Sequence, residues 1–206
     1  MNGKMIPDIV VGRLPLYLRA LQQMTNEGRQ VTSSQELGER LGISAAQIRK
    51  DLSQFGEFGK QGTGYHIDYL LKMIRQILKV DRVWNMIVVG AGDIGSAVAG
   101  YQGFADRGFQ VTMLFDNNPA KIGQQIGKFT VLDSATLAES IREAGIQVAM
   151  IAVPADHAQA VAELLVSAGV KAILNYAPLN LMVPQDVRVQ YIDPASHLQR
   201  MTYYLD

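Results

Sequence analysis

Apolar residues recur at helical spacing over Leu14, Leu18, Leu21 and Met24, which predicts a helix from about Leu14 to Thr25. Pro15 falls in its first turn, where a missing N–H costs nothing, and Gly28 ends it. Ser33, with Glu36 three residues on, reads as a capping box opening a second helix to Arg40, with Leu37 and Leu41 on one face. Gly42 turns the chain, and Ser44 with Gln47 forms a second box that opens a third helix to about Phe55. Ile48, Leu52 and Phe55 point inward from it, leaving Gln47, Arg49, Lys50, Ser53 and Gln54 on the other faces. Four glycines between Gly56 and Gly64 then permit a β-hairpin, with Lys60 near its tip, closing at His66 and Ile67.

Beyond Asn85 the period changes. Met86–Val89 is a short β-branched strand running into Gly90-Ala91-Gly92-Asp93-Ile94-Gly95, and the chain continues as a helix through Tyr101. Strands follow at Gln110–Phe115, Val148–Val153, Ala172–Leu174 and Val187–Ile192, with helices near Ser134–Ala144 and His157–Ala168 between them. This alternation predicts a parallel sheet covered by helices on both faces. A last helix runs from about Ala195 to Leu205, with Leu198, Met201 and Leu205 in an apolar stripe beside Tyr203 and Tyr204. Such a stripe packs on its own domain or on a second copy.

Charge sharpens the division. Lys plus Arg and Asp plus Glu each total 19, yet residues 1–84 hold 12 basic against 8 acidic side chains (+4) and residues 85–206 hold 7 against 11 (−4). Together with the change of period, this predicts two domains of 84 and 122 residues. The absence of cysteine excludes disulfides and thiolate metal sites, and His66, His157 and His197 show no metal-ligand spacing. Lys4 stands alone before an apolar patch broken by Pro7 and Asp8, and no run approaches the ~20 residues of a membrane span. The expectation is a cytoplasmic protein without metal or membrane partners.

Two capped helices around a glycine turn, about Tyr17 to Phe55 with the helix before them, make a helix-turn-helix pattern, and the glycine hairpin makes a wing. The third helix suits the ~12 Å major groove, where Arg or Lys donates to guanine and Gln pairs with adenine. A cation at the wing tip suits a phosphate or the minor groove. The alternative is a helical bundle whose Arg49 and Lys50 are solvated surface.

The glycine motif between strand and helix predicts a Rossmann-type dinucleotide site. Gly90 permits the turn, Gly92 the approach of a pyrophosphate, and Gly95 close packing of helix on strand. Asp116 stands 21 residues after Gly95, at the end of the second strand, where a carboxylate accepts from ribose hydroxyls and disfavours a 2′-phosphate, so NAD(H) is expected. Asp116 could instead cap the turn at Asn117-Asn118-Pro119. Further contacts are expected from the loops at Val153-Pro154 and Asn175–Pro178, whose prolines could equally serve only to shape them. A regulator reading the cofactor fits these features; a dehydrogenase needs a substrate domain, and only some 110 residues follow the glycine loop, all used by the sheet and last helix. Asp116 argues against a third class, a CoA-binding module.

Over nearly its whole length the chain resembles the Rex family of redox-sensing transcriptional repressors. The resemblance is carried by Arg13–Arg19, Thr32–Gly38, Gln47–Ser53, Phe55–Tyr65, Gly90–Ala97, Ile173–Pro178 and Tyr191–Asp193. It implies a winged helix-turn-helix domain (1–84), a Rossmann domain (85–193) and a terminal helix (194–206) swapped in a homodimer. It further implies a protein, not an enzyme, that binds palindromic operator DNA when NADH is low and releases it when NADH binds. By position, Ser44, Gln47, Arg49, Lys50, Ser53 and Lys60 would meet DNA. Gly90, Ala91, Gly92, Asp93, Ile94, Gly95, Asp116, Val153, Pro154, Asn175, Ala177 and Pro178 would meet NADH or NAD+. Arg19, Tyr101 and the partner subunit's Asp193 would form a switch. Some members carry an aromatic residue after that aspartate, near the nicotinamide pocket; here the position is Pro194.

Overall fold

A computed structural model describes residues 6–59 and 64–205. The chain divides into two compact units, Met1–Arg82 and Val83–Asp206.

In the first unit, helix α1 (Asp8–Asn26) starts almost two turns before the expected Leu14, because Pro7 rather than Pro15 stands at its N-cap and Asp8 occupies the first turn. Pro15 therefore lies inside the helix, on an exposed position. Strand β1 (Val31–Thr32), helices α2 (Ser34–Leu41) and α3 (Ala45–Ser53), strand β2 (Tyr65–His66) and helix α4 (Ile67–Ile77) follow. β2 pairs antiparallel with β1, Val31 opposite His66 and Thr32 opposite Tyr65, and the tip of the expected hairpin lies outside the described residues. Gly64 makes the crossing possible: its φ is +76°, and a Cβ there would lie 2.4 Å from the Thr32 carbonyl oxygen. Lys60 lies outside the described residues. Helix α4 was not anticipated. Its Ile67, Leu70, Leu71 and Ile74 are buried and join Leu14, Tyr17, Leu21 and Met24 of α1, Leu37 of α2, and Ile48 and Leu52 of α3 in one core.

The second unit contains β3 (Trp84–Val89), α5 (Asp93–Gly100), β4 (Phe109–Asp116), β5 (Gln125–Ile126), β6 (Phe129–Asp133), α6 (Leu137–Ala144), β7 (Val148–Ile151), α7 (Ala155–Ala168), β8 (Ala172–Asn175), β9 (Arg188–Tyr191) and α8 (Pro194–Thr202). The sheet order is β5-β6-β4-β3-β7-β8-β9, parallel except for the antiparallel β5–β6 pair. The chain winds outward from β3 on one side and then restarts at β7 on the other, so the order reverses beside β3, where open α/β sheets place their ligands. Both faces are covered, as strand alternation requires. Ile87 and Val89 join the core under α6 and α7, while Met86 and Val88 join a second core with Ala99 and Leu114. Helix α8 buries none of its residues: Leu198 and Met201 are 61% and 63% exposed, and Tyr203 and Tyr204 just beyond it are 85% and 73% exposed. Among the described residues no helix is long and apolar enough to cross a membrane.

Candidate functional site

In the first unit, Ser33 Oγ accepts from the Glu36 N–H at 3.1 Å and Ser44 Oγ from the Gln47 N–H at 3.2 Å, so both predicted caps form. Glu36 and Gln47 do not return the bond. The Glu36 carboxylate accepts from Thr32 Oγ1 and pairs with Arg29 at 2.7 Å, and the Gln47 amide donates to Asp51 at 2.7 Å. The turn between α2 and α3 is tight: Gly42 has φ +67°, and a Cβ on Gly38 would meet the Ile43 carbonyl oxygen at 2.3 Å. Ser44, Arg49, Lys50 and Ser53 are exposed and Gln47 is half-buried. Arg49 donates to Ser34 Oγ at 2.9 Å across to the start of α2, and Ser53 Oγ donates to the Lys50 carbonyl. Ser33, Ser34, Arg49, Ser53 and the loop from Gly56 to Gly59 border a groove of about 660 Å³.

Asp51, one residue beyond Lys50, escaped the sequence reading. It is 1% exposed, and its carboxylate accepts from Arg13 Nε (2.6 Å) and Nη2 (2.7 Å), from the Tyr17 hydroxyl (2.5 Å) and from Gln47 Nε2. Burial alone would raise its pKa; the bonds from Arg13, Tyr17 and Gln47 outweigh it and hold the carboxyl below the ordinary range. The same site pushes the Tyr17 hydroxyl upward, through burial first and then the neighbouring carboxylate. A carboxylate three residues after Ile48 and one before Leu52, on a face otherwise apolar, was the signal available.

In the second unit a cleft of about 590 Å³ opens at the carboxyl ends of β3, β4, β7 and β8. Of the expected cofactor residues, Gly90, Gly92, Asp93, Ile94, Asp116, Val153, Pro154, Ala177 and Pro178 line it. The glycines divide the work. Gly90 has φ +104°, and a Cβ on Gly95 would stand 1.7 Å from the Gly90 oxygen, so both are demanded by the fold itself. Gly92 has nothing within 4 Å of its Cβ position, and it starts α5 without any side-chain cap. The first N–H groups of α5 are thus left to a ligand, the arrangement that receives phosphates.

Asp116, 8% exposed, accepts from the Ala91 N–H at 2.7 Å, the Asn118 N–H at 2.8 Å and Lys121 Nζ at 3.3 Å. Burial raises its pKa, but the two backbone donors and Lys121 prevail and keep it ionised below the usual range. It caps the turn and fastens the glycine loop at once. Ala91, Gly95 and Asn175 do not line the cleft. Ala91 serves Asp116, Gly95 packs on Gly90, and Asn175, fully buried, braces the loop after β8 by accepting from the Ala177 N–H and donating to the carbonyls of Ala177 and Leu179. The sequence reading missed Asn117, Asn118 and Lys121 at the polar end and Val161 toward the apolar one, while Tyr176 falls in the expected loop Asn175–Pro178.

Arg19 is exposed on α1. Tyr101, 49% exposed, ends α5 with its ring edge-on to Phe104 at 4.9 Å. Asp193 caps α8, accepting from the Ala195 N–H and Ser196 Oγ, and the Ser196 bond lowers its pKa. Pro194 is the first residue of that helix, where a proline is well placed. No cluster of His, Asp or Glu suited to a metal occurs among the described residues.

Comparison with known proteins joins the two units. Residues 5–53 match the family profile "Putative DNA-binding protein N-terminus", and residues 81–179 match the CoA binding domain profile. A redox-sensing transcriptional repressor Rex from Chloroflexus aurantiacus is 55% identical over 97% of this chain and 94% of its own; one from Carboxydothermus hydrogenoformans is 44% identical over 98% of each. The crystal structure of RSP in complex with beta-NAD+ and operator DNA superposes with a TM-score of 0.93 at 38% identity, covering 98% of this chain and 93% of that one. RSP in complex with beta-NADH gives 0.89 at 36% identity, covering 98% and 95%. With a capped helix-turn-helix in one unit, a glycine-loop cleft in the other and this identity along nearly the whole chain, the protein belongs to the Rex family of redox-sensing transcriptional repressors.

Proposed function

We propose that this chain represses transcription as a homodimer, binding operator DNA through α3 and releasing it when NADH occupies the cleft of the second unit. The carrying observation is the cleft: an uncapped α5 and an open Gly92 stand at its centre, with a polar end at Asp116, Asn118 and Lys121 and an apolar end at Val153, Pro154, Ala177 and Pro178. These residues fit a dinucleotide. Gly90–Gly95 would hold the pyrophosphate on the α5 N-terminus and Asp116 the adenosine ribose. The loops after β7 and β8 would take the nicotinamide, with Asn175 bracing the second of them. NADH brings an uncharged ring and NAD+ a cationic one; an apolar wall excludes water from both and leaves the cation without compensation. Discrimination therefore arises at Val153, Pro154, Ala177 and Pro178, because the adenosine half is the same in both forms.

On the DNA side, exposed Ser44, Arg49, Lys50 and Ser53 and half-buried Gln47 form the reading face, and we assign Lys60 to the wing contact. The apolar stripe of α8 is assigned to the second copy, since it has no partner in its own unit. Arg19, Tyr101 and Asp193 are assigned to the switch. RSP, solved with operator DNA and separately with NADH, supports both ligands for one architecture. NADH shifts the dimer only by its difference in affinity for the two arrangements, and operator DNA must weaken NADH binding by the same factor.

The test is fluorescence anisotropy of a labelled palindromic operator selected from random DNA by this chain, titrated with NADH and separately with NAD+. Release by NADH at concentrations where NAD+ does little is expected. DNA binding indifferent to both would remove the redox switch, and failure to select any DNA would remove the repressor.

A further inference from the structure

We propose that Gln47 reads adenine in the operator and that Asp51 is the residue that positions it, by fixing which way round its amide is presented. The inference rests on the DNA-binding reading of α3 and adds the base and the device. A free glutamine amide turns over easily, and its oxygen and nitrogen then present opposite patterns to a base edge. Here one choice is enforced. An ionised carboxylate only accepts, so Gln47 must turn Nε2, not Oε1, toward Asp51, which it meets at 2.7 Å. Asp51 cannot turn away, because Arg13 grips both its oxygens and Tyr17, itself wholly buried, donates to Oδ2.

The consequence is a fixed pattern. One Nε2 hydrogen is committed to Asp51, while Oε1 and the second Nε2 hydrogen make no hydrogen bond among the described residues. An acceptor beside a donor on one planar amide matches adenine, which offers its N6 hydrogen and its N7 in the major groove. Guanine presents two acceptors there and leaves Oε1 facing an oxygen. Arg13 and Tyr17 on α1 thus serve base selection through Asp51, without touching the base.

The test uses the full chain and its selected operator, with each adenine replaced singly by 7-deaza-adenine, which lacks the N7 acceptor, and affinity read by anisotropy. For the wild type, one position in each half-site should lose about fivefold to tenfold in affinity on replacement. In Gln47→Ala and in Asp51→Asn that penalty should fall below about twofold, while sensitivity to changes at other positions persists. Persistence is the readout that a merely structural role for Asp51 would not give, since general loosening of α3 weakens every position alike. Retention of the full penalty in Asp51→Asn overturns the positioning role, and retention in Gln47→Ala overturns the reader. Should Asp51→Asn fail to fold, the side-chain amide of Gln47 in the wild type decides by 15N-resolved NMR. One of the two amide protons exchanging slowly with solvent is expected; both exchanging as in a free side chain overturns the inference. A wild-type chain that binds DNA but ignores every replacement defeats this inference alone; one that binds no DNA defeats the repressor reading with it.

Discussion

The hydroxyl of Tyr191 accepts a hydrogen bond from the Leu181 N–H at 3.0 Å, tying β9 to the loop that walls the apolar end of the cleft. That loop is held at two further places. Asn175 braces it at Ala177 and Leu179, and Gln159 on α7 clamps Met182, accepting from its N–H and donating to its carbonyl, both at 2.9 Å. Tyr191 stands two residues before Asp193, which caps α8. One side chain therefore links the proposed nicotinamide wall to the start of the proposed dimer helix.

Tyr191→Phe should loosen the wall without unfolding the unit, because Asn175 and Gln159 remain. Loss of one such bond is worth about 1 kcal/mol. NADH affinity, measured by calorimetry, should fall by about threefold to tenfold, with NAD+ affinity changing less because the adenosine end is untouched. Equal losses for the two forms would place the effect outside the nicotinamide end.

Gly92 and Gly95 should separate ligand binding from folding. A Cβ at Gly92 meets nothing within 4 Å, so Gly92→Val should keep its melting temperature while losing NADH, leaving operator binding insensitive to it. Gly95→Ala places a carbon 1.7 Å from the Gly90 oxygen and should destabilise the second unit by several kcal/mol even without ligand. Calorimetric melting beside NADH titration reads both. A Gly92→Val protein that still responds to NADH would move the ligand elsewhere.

How far the fold was legible follows from these same residues. Periodicity exposed α2, α3 and the strands β3, β4, β7, β8 and β9, because each is long or β-branched and the glycines punctuate them. Helix α4 carries Ile67, Leu70, Leu71 and Ile74 at helical spacing, but it directly follows a glycine run that reads as a hairpin. The pairing of β2 with β1, thirty-odd residues earlier, is one that no local pattern announces. The glycine motif and Asp116 were legible as a motif. Their mutual bond, Asp116 to the Ala91 N–H, was not, nor was Asn175 as a brace, since both depend on how neighbouring strand ends meet. Asp51 was visible as an ionisable residue on an apolar face, but its partners Arg13 and Tyr17 lie 38 and 34 residues away.

Helix α8 buries no residue in its own unit, so its removal should cost that unit nothing. Deleting residues from Ala195 onward should leave the melting temperature of the isolated subunit unchanged while sedimentation changes from dimer to monomer. Operator affinity should fall with it, because a palindrome needs both half-sites engaged. An intact dimer would assign the interface to another surface and leave the exposed Leu198 and Met201 unexplained.

Acid should act on the first unit through Asp51. Its folded pKa lies below the ordinary 3.8, so its contribution to stability is fully present above that value and is lost as pH falls through the folded pKa. At pH 7, Asp51→Asn removes the charge opposite Arg13 and puts a donor NH2 in place of one of the two oxygens that accept from Arg13, Tyr17 and Gln47, at a cost of about 3 kcal/mol. Below pH 3.8 the unfolded chain takes up a proton at this carboxyl while the folded one still holds its charge, so the gap between wild type and variant should narrow, and stop narrowing once the pH is below the folded pKa. The measurement is urea unfolding of the full chain, followed at the amide signals of Ile48 and Leu52 in α3, at pH 7, 5, 4 and 3. A gap that stays constant across this range would mean that the ionised form of Asp51 adds nothing to stability. The cost of the variant would then come from lost shape and not from lost charge.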